Sequence, residues 1–184
     1  MIVLLTGGVR SGKSALAEQI VASWEADAGA PVYVAAGPRR DDQDWARRVA
    51  AHRARRPPHW ATIELAADAR TLPEVLTQVP APLLVDCLGT WLTAQLDRLG
   101  AWEADEADWR PALQECTDAL AGAVLARDRP AVLVTNEVGW GVVPAHRSGR
   151  LFADELGRLN QHIANHSDRV ALLVAGQPLW VKGG

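Results

Sequence analysis

Ile2-Val3-Leu4-Leu5-Thr6-Gly7-Gly8-Val9-Arg10-Ser11-Gly12-Lys13-Ser14 is the stretch on which the fold turns. Its apolar run, Ile2–Thr6, stops at paired glycines, as a buried strand does on entering a turn. Gly7–Ser14 then fits the pattern G-x-x-x-x-G-K-[ST] in full. Leu16, Ile20, Val21 and Trp24 follow at helical spacing, so a helix is expected over Lys13–Ala28, closed by Gly29. A strand, a glycine turn and a helix in this order make a phosphate loop. Glycines let backbone N–H groups face phosphate oxygens without Cβ clashes, and the helix N-terminus adds a favourable dipole. The expected nucleotide-binding residues are therefore Gly7, Gly8, Val9, Arg10, Ser11, Gly12, Lys13 and Ser14. Lys13 would act catalytically on the β- and γ-phosphates, and the Ser14 hydroxyl would ligate Mg²⁺.

Apolar strands and helices alternate along the rest of the chain. Strands are expected at Pro31–Ala36, Ala61–Leu65, Pro82–Cys87, Ala131–Thr135 and Arg169–Ala175, with a last edge strand at Leu179–Lys182. Helices are expected at Asp41–Arg56 (capped by Asp41 or Asp42 and stopped by Pro57-Pro58), Leu72–Gln78, Thr90–Leu99, Trp109–Arg127 and Arg147–His166. Gly100–Asp108 reads as an acidic loop. The alternation predicts an α/β fold of the P-loop NTPase, RecA-like kind, with a mostly parallel sheet covered on both faces. A length of 184 residues suits one domain over 1–184. Ligands of such sheets bind beyond the carboxyl ends of the strands. Thr6, Asp86, Cys87, Thr135, Asn136 and Glu137 fall at those ends.

Asp86 closes the run Leu83-Leu84-Val85, where a carboxylate commonly holds the magnesium water shell; the alternative is an N-cap for a helix beginning near Leu88. Asn136 and Glu137 are candidates for orienting an acceptor or metal, or for hydrogen bonds within their own loop.

Bulk properties exclude several classes. The net charge is −3, without the basic excess of a general nucleic-acid or membrane binder. No apolar run is long enough to insert in a membrane. The apolar start runs straight into the glycine loop rather than a cleavage site, so no leader is expected and the cytoplasm is the expected location. Cys87 and Cys116 are too few and too far apart for a disulfide framework or zinc cluster, and read as packed thiols. Seventeen arginines stand against two lysines, a bias that discounts arginine counts and adds weight to Lys13. Even so, seven arginines crowd residues 39–56 beside three acids, a local basic block suited to one anionic ligand.

Within that block His52 shares a helix face with Trp45 and Val49, with Arg48 a turn before it and Arg55 and Arg56 a turn after. Guanidinium forks bind phosphate oxygens in pairs, nearby cations favour neutral imidazole, and neutral imidazole attacks phosphorus. Spacing alone also fits a surface histidine on a solvated arginine face. His59 reads as a turn residue beside Trp60, and His146, His162 and His166 as surface or capping groups.

Thr6–Ser14, Arg47-Arg48-Val49-Ala50-Ala51-His52, Arg56-Pro57-Pro58-His59-Trp60 with Thr62 and Glu64, Leu84–Leu88, Val134-Thr135-Asn136-Glu137-Val138-Gly139 with Gly141 and Pro144, and Gly157–Gln161 occur in this order. In this set the chain resembles the bifunctional adenosylcobinamide kinases / adenosylcobinamide-phosphate guanylyltransferases of cobalamin biosynthesis, over nearly its whole length. The resemblance places the family's guanylylated histidine on His52. It places nucleotide contacts on Gly7–Ser14, on Ala35, Ala36 and Gly37, on Arg53, Ala54, Arg55 and Arg56, and on Glu64 and Asp86. It implies GTP and ATP as nucleotides, adenosylcobinamide and its phosphate as acceptors, and a homotrimer. Two positions depart from some members: Ala51 stands where some carry a second histidine, and Asp86 where some carry glutamate. Two further readings stay open. One is a plain small-molecule kinase with an arginine lid over residues 39–60. The other is a nucleotide-binding switch that signals through Asn136–Gly141.

Overall fold

The computed structural model describes residues 1–38, 47, 50 and 53–184. Strand β1 (Ile2–Gly7) is buried except at Thr6 and runs into the glycine loop, from which α1 (Lys13–Ser23) emerges. Helix α1 ends at Trp24, and α2 (Glu25–Ala28) restarts after it until Gly29 adopts φ 84°. The single helix expected over Lys13–Ala28 is thus two pieces. Beyond Val21 few apolar positions remain to bury, and packing rather than propensity holds a helix of this length.

Next come β2 (Val32–Ala35), β3 (Ala61–Glu64) and α3 (Leu72–Gln78). Helix α3 starts on a capping box: Thr71 accepts from the Glu74 N–H, Glu74 accepts from the Thr71 N–H, and Pro73 sits in the first turn. Strand β4 (Leu83–Asp86) leads into α4 (Leu88–Arg98), then α5 (Glu106–Ala126), β5 (Ala131–Val134), α6 (Arg147–His166), β6 (Arg169–Val174) and β7 (Gln177–Lys182). The acidic stretch is part loop and part helix. Glu106 and Asp108 lie in the first turn of α5, where carboxylates favour the positive end of the helix dipole. The expected helix over Asp41–Arg56 falls mostly outside the described residues; Arg53, Ala54 and Arg55 are helical.

The sheet has seven strands in the order β3-β2-β4-β5-β1-β6-β7, all parallel except β7, which returns antiparallel to β6. Period-two alternation sends Ile2 and Leu4 to one face and Val3 and Leu5 to the other, and both faces are packed. One face carries Leu72, Trp91, Leu96, Trp109, Leu120 and Leu156 from α3 to α6. The other carries Ala17 and Val21 of α1 with Tyr33 and Trp60. Strand β5 lies between β1 and β4, so the glycine loop and Asp86 sit on strands two places apart at the same carboxyl edge. No described helix is long and apolar enough to cross a membrane.

Candidate active site

Glycine is required at Gly7 by its surroundings. The backbone there takes φ 151°, and a Cβ would lie 2.6 Å from the Leu173 carbonyl oxygen and 2.8 Å from Ser11 Oγ. Gly12, at φ 98°, opens α1 in a left-handed conformation. Between them the loop is closed by Ser11 N–H donating to Gly8 O (3.3 Å) and by Gly176 N–H donating to Ser11 O (2.9 Å). Arg10 takes φ 60°, unusual for a side chain larger than glycine.

Inside this loop Lys13 is 7% exposed. Its ammonium donates to Gly7 O at 2.8 Å and Gly8 O at 2.7 Å. Burial pushes its pKa below the usual lysine value, while Cys87 and Asp86 push the other way. The Ser11 and Thr6 hydroxyls are buried without a hydrogen-bond partner. Buried polar groups of this kind are expensive unless satisfied, and both belong to the loop or to the strand that feeds it.

Asp86 ends β4 and accepts a hydrogen bond from the Tyr33 hydroxyl (3.2 Å). Tyr33 is itself 7% exposed. Burial, then the neighbouring Asp86, hold its phenol protonated well above the ordinary tyrosine range. The Arg56 guanidinium lies 3.6 Å over the Tyr33 ring and donates to Thr62 Oγ1 (3.3 Å). Arg55 reaches Glu18 of α1 (3.3 Å), and His59 Nε2 meets Glu25 Oε1 of α2 at 2.6 Å. Arg55 is thereby fastened to the helix that starts at the glycine loop, and His59 to the short helix that follows it. His52 itself lies outside the described residues, as do Arg48, Trp45 and Val49.

Ala35 is in register with both Glu64 and Asp86, and Ala36 N–H donates to Asp86 O (3.3 Å). Gly37 packs on α4, where a Cβ would come within 2.7 Å of Thr90 Cβ. Beyond Gly37 opens a groove of about 790 Å³ lined by Leu65, Leu72, Trp91 and Arg98 among others. The fold thus collects Gly7–Ser14, Ala35–Gly37, Glu64, Asp86 and Arg56 along one sheet edge. Arg53 and Ala54 are exposed beside it in sequence.

On the other side of the glycine loop, Glu137 N–H donates to Gly7 O (3.1 Å). The Glu137 carboxylate accepts from Val138 N–H (3.1 Å) and Gly139 N–H (2.9 Å), so here it serves its own loop. Thr135, fully buried, hydrogen-bonds Asn160 (2.6 Å), whose amide donates to Asn136 O (3.0 Å). Sequence reasoning missed Tyr33 and Asn160 as members of the site. A tyrosine in an apolar strand and an asparagine in a helix carry no local signal; the pairing of β2 with β4 puts Tyr33 beside Asp86, and the packing of α6 puts Asn160 beside Asn136. Cys87 and Cys116 are free thiols, and burial pushes the Cys87 thiol up, away from a reactive thiolate.

The donor set fits magnesium. Among the described residues no three His, Cys, Asp or Glu groups could hold a metal by themselves. Mg²⁺ needs fewer: it commonly takes one or two protein oxygens and completes its shell with phosphate and water. Ser14 on the first turn of α1 and Asp86 at the end of β4 offer such oxygens.

A mostly parallel sheet with a phosphate loop after an inner strand, β1, defines the P-loop NTPase fold class. An ATPase from the type III secretion system of pathogenic bacteria shares the fold, with a TM-score of 0.54 at 15% identity, covering 94% of this chain and 52% of that one. The family description "Cobinamide kinase / cobinamide phosphate guanyltransferase" matches residues 3–181. The bifunctional adenosylcobalamin biosynthesis protein CobP of Pseudomonas aeruginosa is 42% identical over 184 residues, spanning 98% of this chain and 96% of that protein. The corresponding CobU of Salmonella typhimurium is 40% identical over 190 residues, spanning 99% and 100%. The chain belongs to the cobinamide kinase / cobinamide phosphate guanyltransferase family of enzymes.

Proposed function

We propose that this enzyme works in two steps on one edge of its sheet. In the first, ATP or GTP gives its γ-phosphoryl group to the hydroxyl on the aminopropanol arm of adenosylcobinamide. In the second, a ring nitrogen of His52 attacks the α-phosphorus of GTP; the N–P bond forms as the P–O bond to pyrophosphate breaks. The phosphate oxygen of adenosylcobinamide phosphate then takes the GMP group, the N–P bond breaks, and adenosylcobinamide-GDP is released. Covalent catalysis of this kind divides one difficult displacement into two.

The observation that carries this reading is the Lys13 ammonium held inside a backbone loop whose Ser11 hydroxyl has no partner. Lys13 would leave the Gly7 and Gly8 carbonyls for phosphate oxygens, and the backbone N–H groups of Gly7–Ser14 would close on the triphosphate. Mg²⁺, held by Ser14 and through Asp86, would neutralise charge on the transferring phosphate. Arg53–Arg56 and Glu64 would line the nucleotide, with Arg56 seated on Tyr33 beside Asp86. Assembly as a homotrimer in the cytoplasm belongs to the same reading.

Incubation with GTP labelled at the α-phosphate tests the covalent step. An acid-labile, base-stable label on the protein, abolished by His52→Asn, is the expected result. Cobinamide phosphorylation without any such label would leave only the kinase with an arginine lid, and nucleotide binding with neither reaction would leave the switch. No observation favours those two over the transferase.

A further inference from the structure

Two donors meet on one carbonyl oxygen at the start of the glycine loop. Gly7 O accepts from Lys13 Nζ at 2.8 Å and from the Glu137 N–H at 3.1 Å. The turn after β5 is thereby tied beside the ammonium that, in loops of this pattern, reaches the β- and γ-phosphates. Sheet order gives the same placement, since β5 lies between β1 and β4. The Glu137 carboxylate is fixed as well. Its Oε1 accepts from the N–H groups of Val138 (3.1 Å) and Gly139 (2.9 Å), and among the described residues Oε2 has no hydrogen-bond or ion-pair partner. A half-buried carboxylate is thus held by one oxygen at the glycine loop, with the other oxygen uncommitted. The neighbouring groups are engaged elsewhere. Asp86 accepts from Tyr33 and is the carboxylate read as holding magnesium. Glu64 lies on β3, separated from β1 by three strands, and Glu18 pairs with Arg55. Asn136 turns toward α4, where its Nδ2 lies 3.6 Å from the position a Cβ on Gly89 would take.

We infer that Glu137 is the general base of the phosphoryl-transfer step, an assignment that rests on the two-step reading above. The acceptor hydroxyl gives its proton to Glu137 Oε2 as its oxygen bonds the γ-phosphorus. The P–O bond to the β-phosphate breaks, and the nucleoside diphosphate leaves with that electron pair. Placing a carboxylate at the attacking hydroxyl is an established device of phosphoryl transfer. The same chemistry confines Glu137 to one half of the overall reaction. A hydroxyl carries a proton that must be removed as it attacks. The phosphate oxygen that accepts GMP is already ionised at neutral pH, and imidazole attacks through a ring-nitrogen lone pair. Neither of those nucleophiles needs a base beside Lys13.

Glu137→Gln and Glu137→Ala, assayed in each half-reaction separately, test the assignment. Glutamine keeps an oxygen for the Val138 and Gly139 N–H groups but cannot take the proton; alanine loses both functions. Expected in both variants is a fall of about a hundredfold in kcat for phosphorylation of adenosylcobinamide, with KM for the nucleotide unchanged. In Glu137→Gln the yield of protein-bound GMP from GTP, and its passage to added adenosylcobinamide phosphate, should match the wild type. Undiminished phosphorylation by Glu137→Gln overturns the assignment and leaves the carboxylate as a tether of its own loop. An equal loss of GMP formation in Glu137→Gln overturns it too, whether it arises through magnesium, which both halves need, or through the fold. If the wild-type protein phosphorylates no cobinamide at all, the two-step reading itself fails and the base falls with it; that outcome is distinct from the others.

Discussion

Tyr33 shows what one side chain can organise. Its ring supports the Arg56 guanidinium and its hydroxyl donates to Asp86, so it joins the end of the basic segment to the carboxylate expected at the metal. Tyr33→Phe keeps the ring and removes only the hydrogen bond. The expected cost is about 1 kcal/mol of stability, read from urea unfolding, together with a several-fold higher Mg²⁺ requirement for turnover, since Asp86 loses its fixed orientation. Tyr33→Leu removes the arginine seat as well and should add a specific loss in protein-bound GMP. Equal effects of the two variants on the Mg²⁺ requirement, with no difference in GMP formation, would reduce Tyr33 to packing. In sequence Tyr33 is only one more large residue in an apolar strand.

At the scale of the element, the strand–loop–helix unit depends unequally on its glycines. Gly7→Ala puts a methyl 2.6 Å from a backbone oxygen at φ 151°; a loss of about 1–3 kcal/mol is expected, with nucleotide binding abolished. At Gly8 a Cβ meets nothing within 4 Å, so Gly8→Ala should change stability by less than about 0.5 kcal/mol. Thermal unfolding and nucleotide titration of the pair give the comparison. The pattern of this unit was legible from its residues because each part of it is local: a short apolar run, turn glycines, helical spacing. Its end was not. The break at Trp24 comes from how much of the helix finds a surface to bury against, which spacing alone does not encode.

Across the whole molecule the two edges of the sheet divide the labour. The carboxyl edge collects the residues read as chemical. The amino edge is tied by Arg127, 8% exposed at the end of α5, whose guanidinium donates to the carbonyls of Leu76, Val79 and Ala81 just ahead of β4. Burial lowers its pKa to about 10, so it remains a cation at neutral pH. Arg127→Met leaves those carbonyls without their donor and should cost about 2–4 kcal/mol. Nucleotide affinity, measured on the folded variant, should not change. A matching loss of affinity would mean that the two edges are coupled.

The residues alone determined the strand–loop–helix unit, the alternating α/β plan and the family, because these depend on short-range pattern and on motifs kept in order. Tertiary structure decided what sits beside what. It placed β5 between β1 and β4, brought Tyr33 to Asp86, set Asn160 under Asn136, and tied Glu137 to Gly7. Those contacts join residues 24 (Asn136 and Asn160) to 130 (Gly7 and Glu137) positions apart, and no local spacing carries them. They exist because a parallel sheet buries both faces, and that requirement fixes which strands become neighbours.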